Sequence, residues 1–217
     1  MTVSRPVPRS PDDFREPGWA RFLFRDARAS WLWLAVRVYL AVQWLDAGLA
    51  KLGNPAWTGS DAGSAVAGFA KGALAQTGGA HPQVQGWYAW FLQSLVIPNA
   101  ALFGYLVVAA EILVGGALIV GAFSGIAAFL GLVLNANYLL SGAVSLNPEM
   151  MLLGALVVLA WRNAGWIGLD RWLLPTLGTP WQPGEAFVRA DRPRGTHRTD
   201  NLLADQAQSG TQISPRL

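Results

Sequence analysis

The stretch "RVYLAVQWLDAGLAKL", Arg37 to Leu52, has the apolar density of a membrane helix but carries Arg37, Gln43, Asp46 and Lys51. It continues an apolar run that begins at Trp31. A basic or acidic side chain at the centre of a bilayer costs about 2.5–3.5 kcal/mol even on the most lenient scales. A span that only anchors a chain has no use for such groups.

The rest of the chain supports a membrane reading. Of 217 residues 53% are hydrophobic and only 13% are charged, roughly half the share of about 25% usual in soluble domains. All 16 Lys and Arg lie between Arg5 and Lys71 or between Arg162 and Arg216. No basic residue falls between Gly72 and Trp161, a gap that the surface of a soluble domain would not show. The sequence therefore predicts an all-α integral membrane protein in contact with the lipid bilayer. Four windows have about the 20 apolar residues that a spanning helix needs: 31–52, 100–122, 125–143 and 148–166. They are long runs without period-two alternation, which excludes barrel strands. Short connections between the second, third and fourth windows make those helices antiparallel neighbours in a four-helix bundle.

Six Arg precede the first window (Arg5, Arg9, Arg15, Arg21, Arg25, Arg28), and six follow the last, from Arg162 to Arg198. The intervening loops hold only Lys71. The positive-inside bias then puts both termini in the cytoplasm, residues 1–30 forming a basic N-terminal segment and 182–217 a disordered tail. The basic residues flank spans instead of forming one basic face with interleaved aromatics, so no nucleic-acid partner is expected. The N-terminus has no short apolar core with a small-residue cleavage site and does not read as a cleavable signal peptide.

The long segment from Gly53 to Pro98 should lie on the outer face, with one short helix in "SDAGSAVAGFAKGALAQ" and an interfacial one in "GWYAWFLQSLVIP". A loop of this length in a compact protein is more often functional than idle. Eleven Trp, among them Trp31 and Trp33, are expected to form an interfacial belt.

Cysteine is absent, and only His81 and His197 could ligate a metal through nitrogen. No iron–sulfur cluster, bis-His haem or other metal centre is expected, since these draw on Cys and His. If the chain handles electrons, an organic carrier or a partner chain must bear them.

Glu111, in "VVAAEILVGG", sits midway along the second window without a counter-charge on its own helix. It must be neutral or paired with a cation from elsewhere. Arg37 and Lys51 share one face of the first helix, about 40° apart on the wheel and roughly 21 Å apart by rise. Lys51 is placed to snorkel toward the outer interface, whereas Arg37 lies deep enough to need a partner. Arg37 and Glu111 should therefore meet, directly or through a ligand. Gln43 and Asp46 form a second polar face, and Gly48 with Ala47 and Ala50 permits close helix approach. Asn135, Asn137 and Tyr138 in "NANY" offer interhelical hydrogen bonds or contacts to a polar head group such as a quinone carbonyl. Asn135 and Tyr138 fall on adjacent faces and Asn137 roughly opposite. "NPE" at 147–149 reads as an Asn N-cap, a Pro at the first helical position and an acid in the first turn.

The motifs "RVYLAVQWLDAGLAKLGNPAWTG", "AEILVGGALIVGAFSGIAAFLGLVLNANYLLSG" and "NPEMMLLGALVVLAWRNAGWIGLDRWLLP" resemble the DoxX/DoxD family of four-helix bacterial membrane proteins, over roughly residues 31–184. The resemblance implies a bacterial inner-membrane protein, such as the large membrane subunit of a thiosulfate:quinone oxidoreductase. It makes Arg37, Lys51 and Glu111 motif positions and implies a quinone cofactor and a partner oxidoreductase subunit. On that reading Glu111 and Arg37 are the catalytic candidates. Gln43, Asp46, Lys51, Asn135, Asn137 and Tyr138 are the quinone- or substrate-binding candidates. A non-catalytic scaffold recruiting redox enzymes, a small transporter and a homo-oligomeric assembly remain open alternatives.

Overall fold

The computed structural model describes residues 16–179 and 182–190, so the expectations for residues 1–15 and for the tail beyond 190 lie outside the described residues. The chain divides into two units, 1–171 and 172–217. The described residues are mostly helical, and the only strands among them are the two-residue strands of one hairpin, β1 (Gly178–Thr179) with β2 (Gln182–Pro183). The fold is all-α.

In the first unit α1 (Gly18–Arg25) leads into four longer helices. These are α2 (Ser30–Leu52), α6 (Ala100–Val120), α7 (Ser124–Leu140) and α8 (Asn147–Leu159). α2 packs mainly on α6 and α7 on α8, and contacts of α6 with α7 and of α2 with α8 close the ring. Two helices are long and apolar enough to cross a membrane, 27–52 and 100–120, while α7 and α8 are shorter apolar helices of 17 and 13 residues.

Glycine sets the α2–α6 contact. A Cβ on Gly48 would lie 2.8 Å from the Ile112 side chain, and one on Gly115 would lie 2.7 Å from Leu45. Only the missing Cβ lets the two backbones come this close. The core between them and α7–α8 is apolar, with Leu40, Ala41, Trp44, Val114, Leu118 and Val157 all buried.

Between α2 and α6 the outer segment folds as α3 (Pro55–Thr58), α4 (Ser64–Leu74) and α5 (Gly86–Phe91). Asn54 caps α3 by accepting from Ala56 N, with Pro55 at the first helical position. α5 runs into a π-helical turn, Leu92–Val96, whose register shows in the bond from Ile97 N to Leu92 O at 2.9 Å. Val66, Ala70, Tyr88, Leu92 and Val96 of this segment form a second buried cluster against α6 and the end of α7.

Four sequence expectations change. α8 ends at Leu159 instead of continuing to 166, and turns follow through Leu169. Asn163, within these turns, holds that region by donating from Nδ2 to Leu23 O and Asp26 O. Asn147 is the first residue of α8 and not its cap, donating to Ala143 O, while Pro148 and Glu149 stand in the first turn as expected, Glu149 also accepting from the Tyr39 hydroxyl at 2.8 Å. Trp33 is buried and donates its indole N–H to Leu23 O, so it leaves the expected belt, whereas Trp31, Trp87 and Trp90 are exposed. After α9 (Asp170–Leu177), β2 and α10 (Glu185–Ala190) give local structure to the first residues of the expected disordered tail.

The end of the bundle near the α6–α7 turn is clasped by two buried charged residues. Arg37, fully buried, donates to Leu118 O in the last turn of α6 at 3.1 Å and to Ile167 O at 2.7 Å. Asp170 accepts from the Phe123 and Ser124 backbone N–H groups at the start of α7. A cation at a helix C-terminus and an anion at a helix N-terminus each complement the local dipole. Gly121 between them has φ +68°, and a Cβ there would lie 2.1 Å from the Arg37 guanidinium. Arg37→Met, which abandons two carbonyls, should lower the stability of the purified protein by on the order of 3 kcal/mol. Circular dichroism in detergent against a denaturant series measures this, and an unchanged midpoint would remove Arg37 from the clasp.

Candidate functional site

Lys51, in the last turn of α2, reaches Glu111 in α6 with Nζ 2.8 Å from Oε1 and 2.7 Å from Oε2. The Tyr138 hydroxyl of α7 donates to the same Glu111 Oε1 at 2.6 Å. Three helices thus converge on one carboxylate. Glu111 is buried and Lys51 retains 19% of its side-chain exposure. The ammonium also lies 5.2 Å from the Trp57 ring centre and 5.8 Å from that of Tyr138, within range for cation–π attraction. Charge neutralisation explains how a carboxylate sits in so apolar a helix. Its partner lies on α2, brought near by the glycine contacts.

The expected Arg37–Glu111 meeting does not occur. Arg37 is committed to carbonyls at the other end of α6, and Glu111 is committed to Lys51. Lys51 in turn does not merely snorkel, since its ammonium points into the protein. Wheel geometry put Arg37 and Lys51 on one face but could not say which of them lay level with Glu111.

Beside Tyr138 lies a cavity of about 340 Å³. Trp57, Phe69, Tyr88, Phe91, Phe103 and Tyr138 supply its aromatic walls. Aliphatic side chains come from α4, from the π turn and from α6 and α7. Its size is at the lower end of the range for small-molecule sites, about 300–1,000 Å³. Polar groups are few: besides the two phenols, Asn137 and Ser141 line it. Phe69 and Leu106, both in its lining, are 40% and 53% exposed and mark where the cavity meets the surface of the protein.

The outer segment is tied over this cavity by Tyr88. Its hydroxyl lies 3.1 Å from Asn137 O, 3.3 Å from Asn137 Oδ1 and 3.2 Å from Ser141 Oγ. Burial pushes the Tyr88 phenol above its ordinary pKa, which keeps it a hydrogen donor throughout the physiological range. The π turn supplies Leu92 and Val96 to the wall. Such turns are frequent at functional sites.

The other sequence candidates divide. Asn137 and Tyr138 both line the cavity, because it wraps around one edge of α7. Asn135 is buried elsewhere in the bundle and does not line it, and its Oδ1 accepts no hydrogen bond. Gln43 is half-buried and interacts with the Tyr39 hydroxyl. Asp46 is exposed, away from the cavity. Trp57, Phe69, Tyr88 and Ser141 were not singled out as site residues. The one available signal was the aromatic density of the long outer segment.

Comparison with protein-family models, with curated proteins and with solved structures finds no match for this chain. The likeness to the DoxX/DoxD family therefore rests on the quoted motifs.

Removing one partner of a buried ion pair strands the other charge. Lys51→Met should thus destabilise the protein by about 3 kcal/mol, and adding Glu111→Gln should restore a large part of that loss. A double-mutant cycle measured by denaturant unfolding reads the coupling, and strictly additive losses would refute a coupled pair.

Proposed function

We propose that this chain is a DoxX/DoxD-like, multi-pass protein of the bacterial inner membrane, with four spanning helices and both termini cytoplasmic. We further propose that it binds a quinone and serves as the membrane subunit of a quinone-linked oxidoreductase acting on thiosulfate or a similar sulfur compound. The observation that carries the reading is the aromatic cavity whose wall includes Tyr138, the residue hydrogen-bonded to the buried Lys51–Glu111 pair. Two helices of spanning length and the distribution of Lys and Arg support the membrane placement.

The lining fits a quinone ring: flat aromatic walls suit a flat ring, and a cavity of about 340 Å³ holds one substituted ring while a longer tail lies outside past Phe69 and Leu106. A bound quinone supplies the two-electron, two-proton acceptor that a chain without Cys lacks. The residues of this chain would bind and orient the ring, exclude water and manage protons. Tyr138 is the group placed to touch the ligand. Glu111 acts through it, accepting the phenolic proton and returning it, and Lys51 balances the negative charge of the carboxylate before the proton arrives and after it leaves. Arg37, in its clasp, has no part in this chemistry.

The test is turnover. The protein purified with its native partners should reduce a short-chain quinone when supplied with thiosulfate. Glu111→Gln, which preserves shape but cannot exchange a proton with Tyr138, should slow turnover by about 10²-fold, the lower end of the range for a positioned acid or base. If an oxidoreductase co-purifies and no turnover is seen, the chain is a scaffold. Turnover that Glu111→Gln leaves unchanged would remove Glu111 from the proton path.

A further inference from the structure

The polar groups of the cavity differ in which of their hydrogens are already spent. A hydroxyl carries one hydrogen and two lone pairs, and an amide nitrogen carries two hydrogens. Tyr138 gives its hydrogen to Glu111 Oε1 at 2.6 Å. Ser141 gives its own to Asn137 O at 2.8 Å. Tyr88 has Asn137 O, Asn137 Oδ1 and Ser141 Oγ within 3.3 Å. Asn137 Nδ2 donates one hydrogen to Val133 O at 2.7 Å. What these hydroxyls have left is lone pairs; the N–H groups not so engaged are the second one of Asn137 and the indole N–H of Trp57.

The lone pair on Tyr138 is the strongest of these acceptors. A hydroxyl that donates to a carboxylate is polarised by it, and its oxygen becomes a better acceptor in turn. That carboxylate is held by Lys51 at 2.7 Å, so the polarisation is fixed in place.

Building on the quinone reading above, we propose that the cavity selects a ligand that donates a hydrogen bond, and hence holds the hydroquinone form more tightly than the quinone. The apolar walls take the ring in either form. The hydroquinone O–H donates to the Tyr138 oxygen, an interaction that a quinone carbonyl, an acceptor only, cannot make. Two acceptors facing each other in a largely apolar cavity leave both unsatisfied, and that penalty adds to the lost bond. Binding alone discriminates here, with no bond made or broken.

Redox-inert probes isolate this property: 4-heptylphenol and its methyl ether, titrated into the full chain in lipid nanodiscs and followed by Trp fluorescence, with Trp57 in the cavity wall as reporter. The phenol should bind about tenfold more tightly than the ether, the effect of one net hydrogen bond to a polarised acceptor. Tyr138→Phe should cut that ratio toward the value set by partition into lipid, weakening the phenol and leaving the ether no worse bound. Circular dichroism of the variant in detergent shows that it is folded. Equal affinities in the wild type, or an ether that binds better, would overturn the donor preference while the cavity stands as a site. If neither probe binds, the ligand reading of the cavity fails and the preference with it. Should Tyr138→Phe not fold, the wild-type ratio alone still decides.

Discussion

The Lys51–Glu111 ion pair is the constraint to which the rest of the architecture conforms. A carboxylate midway along an apolar helix is tolerable only with a cation in contact, and that cation is the penultimate residue of α2. To bring them together the backbones of α2 and α6 must approach closely, which Gly48 and Gly115 allow. The same geometry brings Tyr138 of α7 to the carboxylate, so one acid fixes the relative depth of three helices. Exchanging a buried ion pair for apolar residues of like volume often leaves a fold as stable or more so. The chemistry proposed at the adjoining cavity gives the pair a role that stability alone does not require.

The bundle has two polar ends and a dry middle. At one end Arg37 and Asp170 complete the C-terminus of α6 and the N-terminus of α7, tasks in which each charge meets backbone groups. At the other, Lys51, Glu111 and Tyr138 meet one another beside a cavity. Leu40, Trp44, Val114 and Leu118, all buried, lie in the apolar core between them. The first cluster is spent on helix termini. The second keeps side chains that can exchange protons and a space for a ligand, which is why function is placed there.

Much of the fold was legible because it depends on local signals. The helices at 30–52, 100–120 and 124–140 begin within about one residue of their predicted starts, since hydropathy and turn residues are properties of the adjacent chain. The premature end of α8 was not legible. "AWRNAGWIG" is apolar enough to read as helix, and bonds to partners far away in sequence, from Asn163 to Leu23 and Asp26 and from Arg37 to Ile167, hold it as turns. The pairing of Glu111 failed for a related reason. A helical wheel gives the angle of a residue but not its height against a neighbouring helix, so depth within the apolar run pointed to Arg37 as the partner and left Lys51 to snorkel. Tyr88 and the π turn were hidden further still, because their meaning depends on how a 46-residue loop folds back onto α6 and α7.

That fold-back gives the long outer segment its reason to exist. α6 continues past the end of α2, and α3 and α4 cover the stretch that α2 leaves bare. Gly104 of α6 lies so near Trp57 O that a Cβ would be only 2.7 Å from it. The same covering carries Trp57 over the Lys51 ammonium and Tyr88 onto the end of α7. The segment therefore completes two things at once: it shields the ion pair, and it closes the cavity that the ion pair adjoins. A bundle of the four long helices alone would leave Glu111 paired but Tyr138 facing an open groove. The chemistry proposed for this chain belongs to the loop and the helices together, and of the polar residues from Arg37 to Lys51 only Lys51 enters it.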